Sequence, residues 1–224
     1  MGNFRFNHPE YSFPKINPVE KGISATQLAH PLLHPQKRVA NDFHIDDKEF
    51  FIVTGANMAG KSTFLRTVSL QIVMSNIGLP VCAENCQYTP IKLITSMRTS
   101  DSLNDDESYF FSELKRLKYI VNRIQQDRYF IILDEILKGT NSTDKANGSK
   151  KFVRKLVRSH STGIIATHDL SLCEITAELP QVKNHYFDAE IINDELHFDY
   201  RFKNGICQNM NASFLLRKME IVDE

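Results

Sequence analysis

A short run of residues early in the chain has the types and the spacing that bind phosphate. Gly55-Ala56-Asn57-Met58-Ala59-Gly60-Lys61-Ser62-Thr63 fits the pattern G-x-x-x-x-G-K-[ST] of a phosphate-binding loop. Its glycines let backbone amides close around a phosphate at the positive end of a helix. Lys61 would add a point charge at the β- and γ-phosphate oxygens, and the Ser62 hydroxyl would take a Mg²⁺ position. The alternative is a chance match in a glycine turn.

The segments on either side of this loop support the phosphate-binding interpretation. Glu49–Thr54 is apolar and β-branched, which predicts a buried strand. The segment 61–77 predicts a helix because its apolar residues recur at helical spacing, at Phe64, Leu65, Val68, Ile72 and Val73. Strand, glycine-rich loop and helix in this order form the context that the motif requires.

Two adjacent carboxylates end a second apolar run. Tyr129-Phe-Ile-Ile-Leu-Asp134-Glu135 predicts a buried strand whose C-terminal end carries both acids, beside the phosphate site of a parallel sheet. Asp134 would hold Mg²⁺, and Glu135 would orient and deprotonate an attacking water. Adjacent acids after an apolar strand also occur in unrelated proteins, so this interpretation depends on the upstream loop.

A histidine follows the third apolar run, Gly163–Thr167. Many P-loop ATPases place a histidine that senses the γ-phosphate at the end of such a strand, which favours this role for His168. The alternative is a capped imidazole at the surface.

Strand and helix signals alternate from residue 49 onward. This alternation predicts an α/β fold with a mostly parallel central sheet flanked by helices. The predicted strands are Phe50–Thr54, Ile91–Ser96, Tyr129–Leu133 and Gly163–Thr167. The predicted helices are Lys61–Ile77, Ser108–Gln125, Ser142–His160 and Leu170–Glu178.

The two ends of the chain give weaker signals. Residues 1–36 contain several prolines and predict an extended lead-in with one edge strand near Gly22–Leu28, so that the domain proper occupies residues 37–224. Gln181–Ile192 and Glu195–Phe202 alternate polar and apolar residues, which predicts a C-terminal β-hairpin. A closing helix is predicted at Ala212–Met219.

Composition limits the class of protein. A chain of 224 residues can bury the core of one domain. Lys+Arg and Asp+Glu are equal at 27 each, so bulk charge favours neither a DNA-coating nor a membrane-coating surface. Basic clusters fall on two predicted helices, where a solvated face is the simpler explanation. The cysteines are scattered and no apolar run reaches membrane-spanning length, so we expect reduced thiols in a cytoplasmic protein.

Together these motifs resemble the ATPase domain of the MutS family of DNA mismatch repair proteins, which belongs to the ABC-type P-loop ATPases. Asn57-Met58 inside the loop is typical of that family. The resemblance extends from Thr26 to the C-terminus. Further matching segments are Leu28-Ala-His30-Pro31, Ala40-Asn41-Asp42, Glu107–Glu113, Asp134–Asp144 and Tyr200–Met219.

The resemblance implies Mg²⁺-dependent ATP binding and hydrolysis in a nucleotide sandwich between two copies, or between this chain and a related subunit. It implies catalytic roles for Lys61, Glu135 and His168 and a contact from Tyr186 on the base side of the nucleotide. Ser108 would reach the γ-phosphate bound by the partner chain, and as a helix N-cap it has a simpler explanation that is compatible with this role. DNA contacts would come from regions that precede residue 1, so the chain is expected to be an excised domain or a naturally short relative.

Some positions depart from the family pattern. Ala56 replaces the usual proline, and Lys138 stands where an arginine is usual. Asp105-Asp106-Glu107 precedes Ser108 and would repel a γ-phosphate unless the acids turn away or hold a cation. Arg38 takes the place of an upstream aromatic. Arg38 and Tyr186 could both stack on a base, and the alternative is that both are surface residues.

Two functions from different classes fit the sequence. The first is the ATPase of a MutS-like protein in mismatch repair or another DNA process. The second is a nucleotide-binding switch of a MutS-related protein not engaged in mismatch repair, in which turnover is incidental. An ABC-transporter subunit is disfavoured because residues 103–109 do not read Leu-Ser-Gly-Gly-Gln.

Overall fold

The computed structural model describes residues 6–19, 21–97, 109–137, 141–193, 195–208 and 218. Its helices are α1 (Lys61–Asn76), α2 (Tyr109–Ile124), α3 (Ser142–Val157) and one 3₁₀ helix (Leu170–Ala177). Its strands are β1 (Lys15–Ile16), β2 (Gly22–Leu28), β3 (Asn41–Asp46), β4 (Phe50–Gly55), β5 (Asn85–Tyr88), β6 (Lys92–Ser96), β7 (Tyr129–Asp134), β8 (Thr162–Ala166), β9 (Val182–Phe187), β10 (Glu190–Ile192), β11 (Glu195–His197) and β12 (Lys203–Asn204). The predicted mixed α/β class is confirmed.

The larger sheet has the strand order β12-β9-β4-β8-β7-β6. Strands β9, β4, β8, β7 and β6 run parallel, and β12 pairs with β9 in the antiparallel sense. Strand β4 lies between β8 and β9, where Phe50 is in register with Gly163 on one side and Val182 on the other. The C-terminal ends of β4 and β7 therefore lie at the same edge of the sheet, separated by one strand.

Both faces of this sheet are buried, which explains why its strands are apolar without alternation. On one face, Phe51 and Val53 of β4 pack in a core with α1 and the smaller sheet. On the other face, Phe50 and Ile52 pack in a core with α2, α3 and the 3₁₀ helix. Helix α1 presents its buried stripe to the first core, through Phe64, Leu65, Val68 and Ile72.

A second, four-stranded sheet with the order β1-β5-β2-β3 covers the α1 side. Strand β2 has the predicted bounds, but the prediction that it is an edge strand was wrong. It pairs antiparallel with both β3 and β5 and is buried at Ile23, Ala25 and Leu28. The proline-rich composition of residues 1–36 did not reveal this, because the partner strand β5 lies some sixty residues downstream. The boundary at residue 37 stays a prediction.

The C-terminal part differs from the predicted hairpin. The segment from Gln181 does not run as one hairpin strand: β9 joins the central sheet beside β4, and only β10 and β11 form a short hairpin. Alternation alone could not distinguish the two, because a sheet strand with one polar side has the same period as a hairpin strand. Leu170–Ala177 is a 3₁₀ helix instead of the predicted helix to Glu178. The closing helix predicted at 212–219 lies outside the described residues except for Lys218, which is helical.

No helix among the described segments is long and apolar enough to cross a membrane.

One buried histidine of β9 packs against aromatic rings of β4 and of the segment before β12. His185 of β9 is 7% exposed, and its ring stacks on Phe202 with centroids 4.4 Å apart and an interplanar angle of 12°. The ring also contacts Phe51 at a centroid distance of 4.2 Å. Neither ring nitrogen meets a hydrogen-bond partner at suitable distance and angle among the described residues. Burial, followed by the charge of Lys183, lowers the pKa of His185 to about 4, against weaker opposing effects of the Lys203 backbone and Glu49.

We expect the stability of the fold to fall as the pH drops from about 6.5 to about 4. Below pH 6.5 the unfolded chain binds a proton at His185 that the folded chain does not, so protonation favours unfolding. The loss should approach about 3 kcal/mol for this residue. Urea unfolding from pH 7 to pH 4 measures it, and His185→Phe, which keeps the ring and cannot titrate, is the control. Parallel curves for the wild type and the variant would contradict this assignment.

Candidate functional site

The glycine-rich loop Gly55–Thr63 connects β4 to α1 and depends on glycine at both ends. Gly55 has a φ of 146°, and a Cβ there would lie 2.4 Å from the carbonyl oxygen of Phe187. Gly60 has a φ of 106° and precedes α1 without a side-chain cap. Residues other than glycine rarely adopt either backbone conformation. The start of α1 is therefore left open to an external acceptor, and the positive end of a helix attracts an anion.

Lys61 is the charged group at the centre of the loop. Its side chain is buried, with 6% of the residue exposed, and its Nζ donates to the carbonyl oxygens of Gly55 at 2.7 Å and Ala56 at 2.9 Å. Burial lowers the pKa of Lys61, while the negative charges of Glu135 and Asp134 act in the opposite direction. The Gly55 and Ala56 carbonyls are neutral, and an incoming anion could replace them as partners of the ammonium.

Ser62 and Asp134 come together as predicted from their separate motifs. The Ser62 hydroxyl donates to Asp134 Oδ2 over 2.8 Å, and Asp134 is 8% exposed at the end of β7. Both groups are hard oxygen donors, the chemistry that suits Mg²⁺. A Mg²⁺ ion held by one carboxylate normally takes its remaining ligands from water and phosphate, so this pair fits the ion.

Glu135 and His168 also meet, although they come from different strands. His168 Nε2 lies 2.8 Å from Glu135 Oε1, and the Glu135 side chain is 13% exposed. The backbone amide of Glu135 donates to the Ala166 carbonyl, which ties the residue to β8. Glu135 has a φ of 55°, an uncommon conformation for this residue type. Backbone strain of this kind clusters at functional sites.

Lys61, Ser62, Asp134 and Glu135 lie on the wall of one cavity of about 630 Å³, a size typical of small-molecule sites. His168 is absent from the described lining. Further lining residues come from β2, from β3, from the segment between them and from the C-terminal region: Leu28, Ala29, His30, Leu33, Lys37, Val39, Asn41, Phe187 and Tyr200. The lining thus combines charged groups with apolar side chains.

Tyr200, and not Tyr186, is the tyrosine that lines this cavity. Tyr186 lies in β9, where its ring faces the Lys203 ammonium at 5.9 Å and it is absent from the described lining. The Tyr200 ring packs on the loop so closely that a Cβ at Gly60 would lie 3.1 Å from its Cδ1. Tyr200 is 42% exposed, so part of its ring is open to a ligand.

Asn41 fixes the turn that carries Tyr200. Its Nδ2 donates to the Tyr200 carbonyl at 3.0 Å, and its Oδ1 accepts from the Phe202 amide at 2.7 Å. The Arg201 guanidinium adds a bond of 2.8 Å to the Ala40 carbonyl. Tyr200 itself has a φ of 53°, so the two side-chain bonds of Asn41 hold a conformation that a tyrosine rarely adopts.

The other predicted site residues have mixed outcomes. Within the loop, Asn57, Met58 and Thr63 line the cavity, whereas Ala59 is fully buried beneath it. Arg38 does not line the cavity; its guanidinium lies over the Tyr11 ring and bonds Glu10. Ser108 and Lys138, with the acidic run before Ser108, lie outside the described residues.

The sequence did not predict that Tyr200, Lys37 and His30 line the site, or that the Asn41 side chain bonds the backbone of residues 200 and 202. The Ala-Asn-Asp segment was singled out, but nothing in the sequence indicates that its amide reaches residues 200 and 202. Two tyrosines flank the hairpin, and only the packing of Tyr200 beside Gly60 shows which one reaches the loop.

The chain is similar to known proteins over most of its length. The family model described as MutS domain V matches residues 51–219. MutS protein homolog 4 from Homo sapiens is 30% identical over 200 residues, which is 84% of this chain and 21% of the relative. DNA mismatch repair protein MutS from Flavobacterium psychrophilum is 29% identical over 207 residues, 88% of this chain and 24% of the relative.

A plant relative also matches most of this chain. DNA mismatch repair protein MSH4 from Arabidopsis thaliana is 27% identical over 217 residues, 93% of this chain and 27% of the relative. The chain therefore spans between a fifth and slightly more than a quarter of the length of these curated relatives, since the covered shares are 21% to 27%. Because the family model matches most of the chain and includes the loop, both carboxylates and His168, the chain belongs to the MutS family, as its domain V.

Proposed function

We propose that this chain binds and hydrolyses ATP in a Mg²⁺-dependent reaction, as the ATPase domain of a MutS-like protein with a P-loop NTPase fold of the ABC type. The observation that carries the proposal is the convergence of Lys61, Ser62, Asp134 and Glu135 on the wall of one cavity. These are the four side-chain types that phosphoryl transfer to water needs: a cation, two metal ligands and a general base.

We assign the triphosphate to the part of the cavity that Lys61, Ser62, Asp134 and Glu135 line, which we call its phosphate end. Lys61 would exchange its bonds to the Gly55 and Ala56 carbonyls for phosphate oxygens, and the open amides at the start of α1 would bind further oxygens. Ser62 and Asp134 would hold Mg²⁺, which neutralises developing charge on the phosphate when bound. Glu135 would accept a proton from the attacking water, and His168 would keep its carboxylate in place through their 2.8 Å contact.

We assign the nucleoside to the apolar part of the lining. The Tyr200 ring lies beside Gly60 and lines the same cavity as the acids. An aromatic face that is partly exposed and conformationally fixed offers a stacking surface for a base. Tyr200 therefore replaces Tyr186 as our candidate for the base-side contact.

The wider assignment concerns the whole protein and its partners. The relatives named DNA mismatch repair proteins support a role in mismatch repair or a related DNA process, with DNA contacts supplied by regions outside this chain. We further propose that two ATPase domains sandwich the nucleotides, with Ser108 of one chain reaching the γ-phosphate bound by the other.

Lys61→Ala should abolish ATP binding, because it removes the buried positive charge of the loop and leaves the two carboxylates beside the phosphates uncompensated. Titration with a fluorescent ATP analogue measures the affinity. Lys151→Ala, which removes an exposed lysine of α3, is the matched control. If Lys61→Ala binds within a few-fold of the wild type, the loop is not the phosphate site.

Glu135→Gln should retain Mg²⁺-ATP while hydrolysis falls by roughly two orders of magnitude or more, the usual scale for loss of a general base. Asp134→Ala should instead weaken the Mg²⁺ dependence. Phosphate release measured across a Mg²⁺ series separates the two. Normal hydrolysis by Glu135→Gln would show that another residue is the general base, with His168 as the next candidate. If the wild type binds ATP and does not hydrolyse it, the nucleotide-switch function is favoured.

Tyr200→Ala should weaken ATP binding about tenfold, the scale of one lost base–aromatic stack. Tyr186→Ala is the matched control and should bind ATP as the wild type does, because its ring lies against Lys203 outside the cavity. Titration of both variants decides between the two tyrosines. A loss at Tyr186 with none at Tyr200 would reverse the assignment.

ATP with Mg²⁺ should shift the Glu135→Gln variant toward a dimer, because the retained γ-phosphate would bridge the two chains. Sedimentation velocity with ATP, with ADP and without nucleotide measures the shift, and ADP is the control because it lacks that group. An unchanged distribution with ATP at high protein concentration, or a tight dimer without nucleotide, would be incompatible with the sandwich.

A further inference from the structure

The Glu113 side chain bonds helix α2 to the backbone of the loop that follows β7, beside apolar packing between the same two segments. The backbone amide of Leu137 donates to Glu113 Oε1 over 2.6 Å, between residues that are 24 positions apart in the chain. Glu113 is half-buried in the second turn of α2. Hydrogen bonds between an amide and a carboxylate are shorter and stronger than those between neutral groups.

The backbone of this loop has an unusual conformation. Glu135 has a φ of 55° and Leu137 a φ of 58°, and both are L-residues in the left-handed region. Such conformations are unfavourable and persist only where the surroundings hold them. The Leu137 side chain has no polar atom that could stabilise this conformation through a local hydrogen bond.

Several contacts hold the described part of the loop in place. The Glu135 amide is bonded to the Ala166 carbonyl of β8 on one side, and the Leu137 amide is bonded to Glu113 on the other. The Ile136 and Leu137 side chains are buried in the core that α2 shares. The Glu135 side chain lines the cavity and contacts His168. Loss of the Glu113 bond would release a backbone anchor two residues after Glu135.

We propose that Glu113 is a positioning residue, which holds the 135–137 segment so that the Glu135 carboxylate stays directed at the phosphate end of the cavity. Glu113 is absent from the described cavity lining and so acts through Leu137 and not on the nucleotide. The inference rests on the proposed ATP hydrolysis for its consequence, but the contact itself exists without nucleotide. The two parts can therefore be tested separately.

The first measurement is hydrogen exchange at the Leu137 amide in the nucleotide-free protein, followed by NMR. Glu113→Ala should accelerate that exchange about tenfold or more, because the amide loses its acceptor. Glu113→Gln keeps an amide oxygen at the same length and should restore most of the protection. Lys118→Ala, which removes an exposed side chain from the same helix, is the control. Equal exchange in the wild type and Glu113→Ala would overturn the proposed contact.

The second measurement is steady-state hydrolysis of ATP with Mg²⁺ by the same four proteins. Glu113→Ala should lower kcat about tenfold and leave KM within about twofold, because a displaced base affects chemistry more than binding. Glu113→Gln should recover most of the wild-type kcat. A purely structural role would instead lower the amount of folded protein and leave kcat per folded molecule unchanged, and that outcome would overturn the proposal.

The two proposals fail in different ways. If the wild type binds ATP without hydrolysing it, the proposed hydrolysis is wrong, and the exchange experiment still decides the Glu113–Leu137 contact. If the wild type hydrolyses ATP and Glu113→Ala matches it in kcat, Glu113 does not position Glu135. A rise in KM with unchanged kcat would also overturn the positioning role, since it would indicate a contribution to binding alone.

Discussion

The burial of the Lys61 ammonium is the interaction on which the site depends. A charged group with 6% of its residue exposed is unfavourable unless its protons are bonded, and the Gly55 and Ala56 carbonyls provide those bonds. This requires the loop to fold back over its own lysine, which Gly55 and Gly60 permit. The carboxylates at the end of β7 supply the opposite charge, and the strand order places them one strand away from the loop.

The remaining parts of the site come from segments distant in sequence, and each is held by a polar contact to the backbone. Asn41 bonds the Tyr200 carbonyl and the Phe202 amide, which places an aromatic ring against the loop. Ala166 bonds the Glu135 amide and links the general-base candidate to the strand that lies beside it. In both places the backbone has a positive φ, so local preference alone would not produce these conformations.

The sequence predicted the parts of this arrangement that depend on short-range patterns. The apolar runs of β4, β7 and β8 and the helical spacing of α1 were assigned within a residue or two, because strands buried on both faces and amphipathic helices carry their own periodicity. The sequence also placed Asp134 and Glu135 beside the phosphate loop, but it did not predict the contact between Glu135 and His168. Features that depend on long-range pairing were missed: the interior position of β2, the place of β9 beside β4, and the choice of Tyr200 over Tyr186.

The central claim is that the buried lysine and the carboxylate pair form a phosphate site. A crystal structure of the chain with Mg²⁺ and a non-hydrolysable ATP analogue tests it most directly. We expect Lys61 Nζ to leave the Gly55 carbonyl for the phosphate oxygens, Ser62 and Asp134 to lie beside the metal, and the base to rest on Tyr200. A nucleotide bound away from residues 55–63, or Lys61 still bonded to both loop carbonyls with nucleotide present, would contradict the claim.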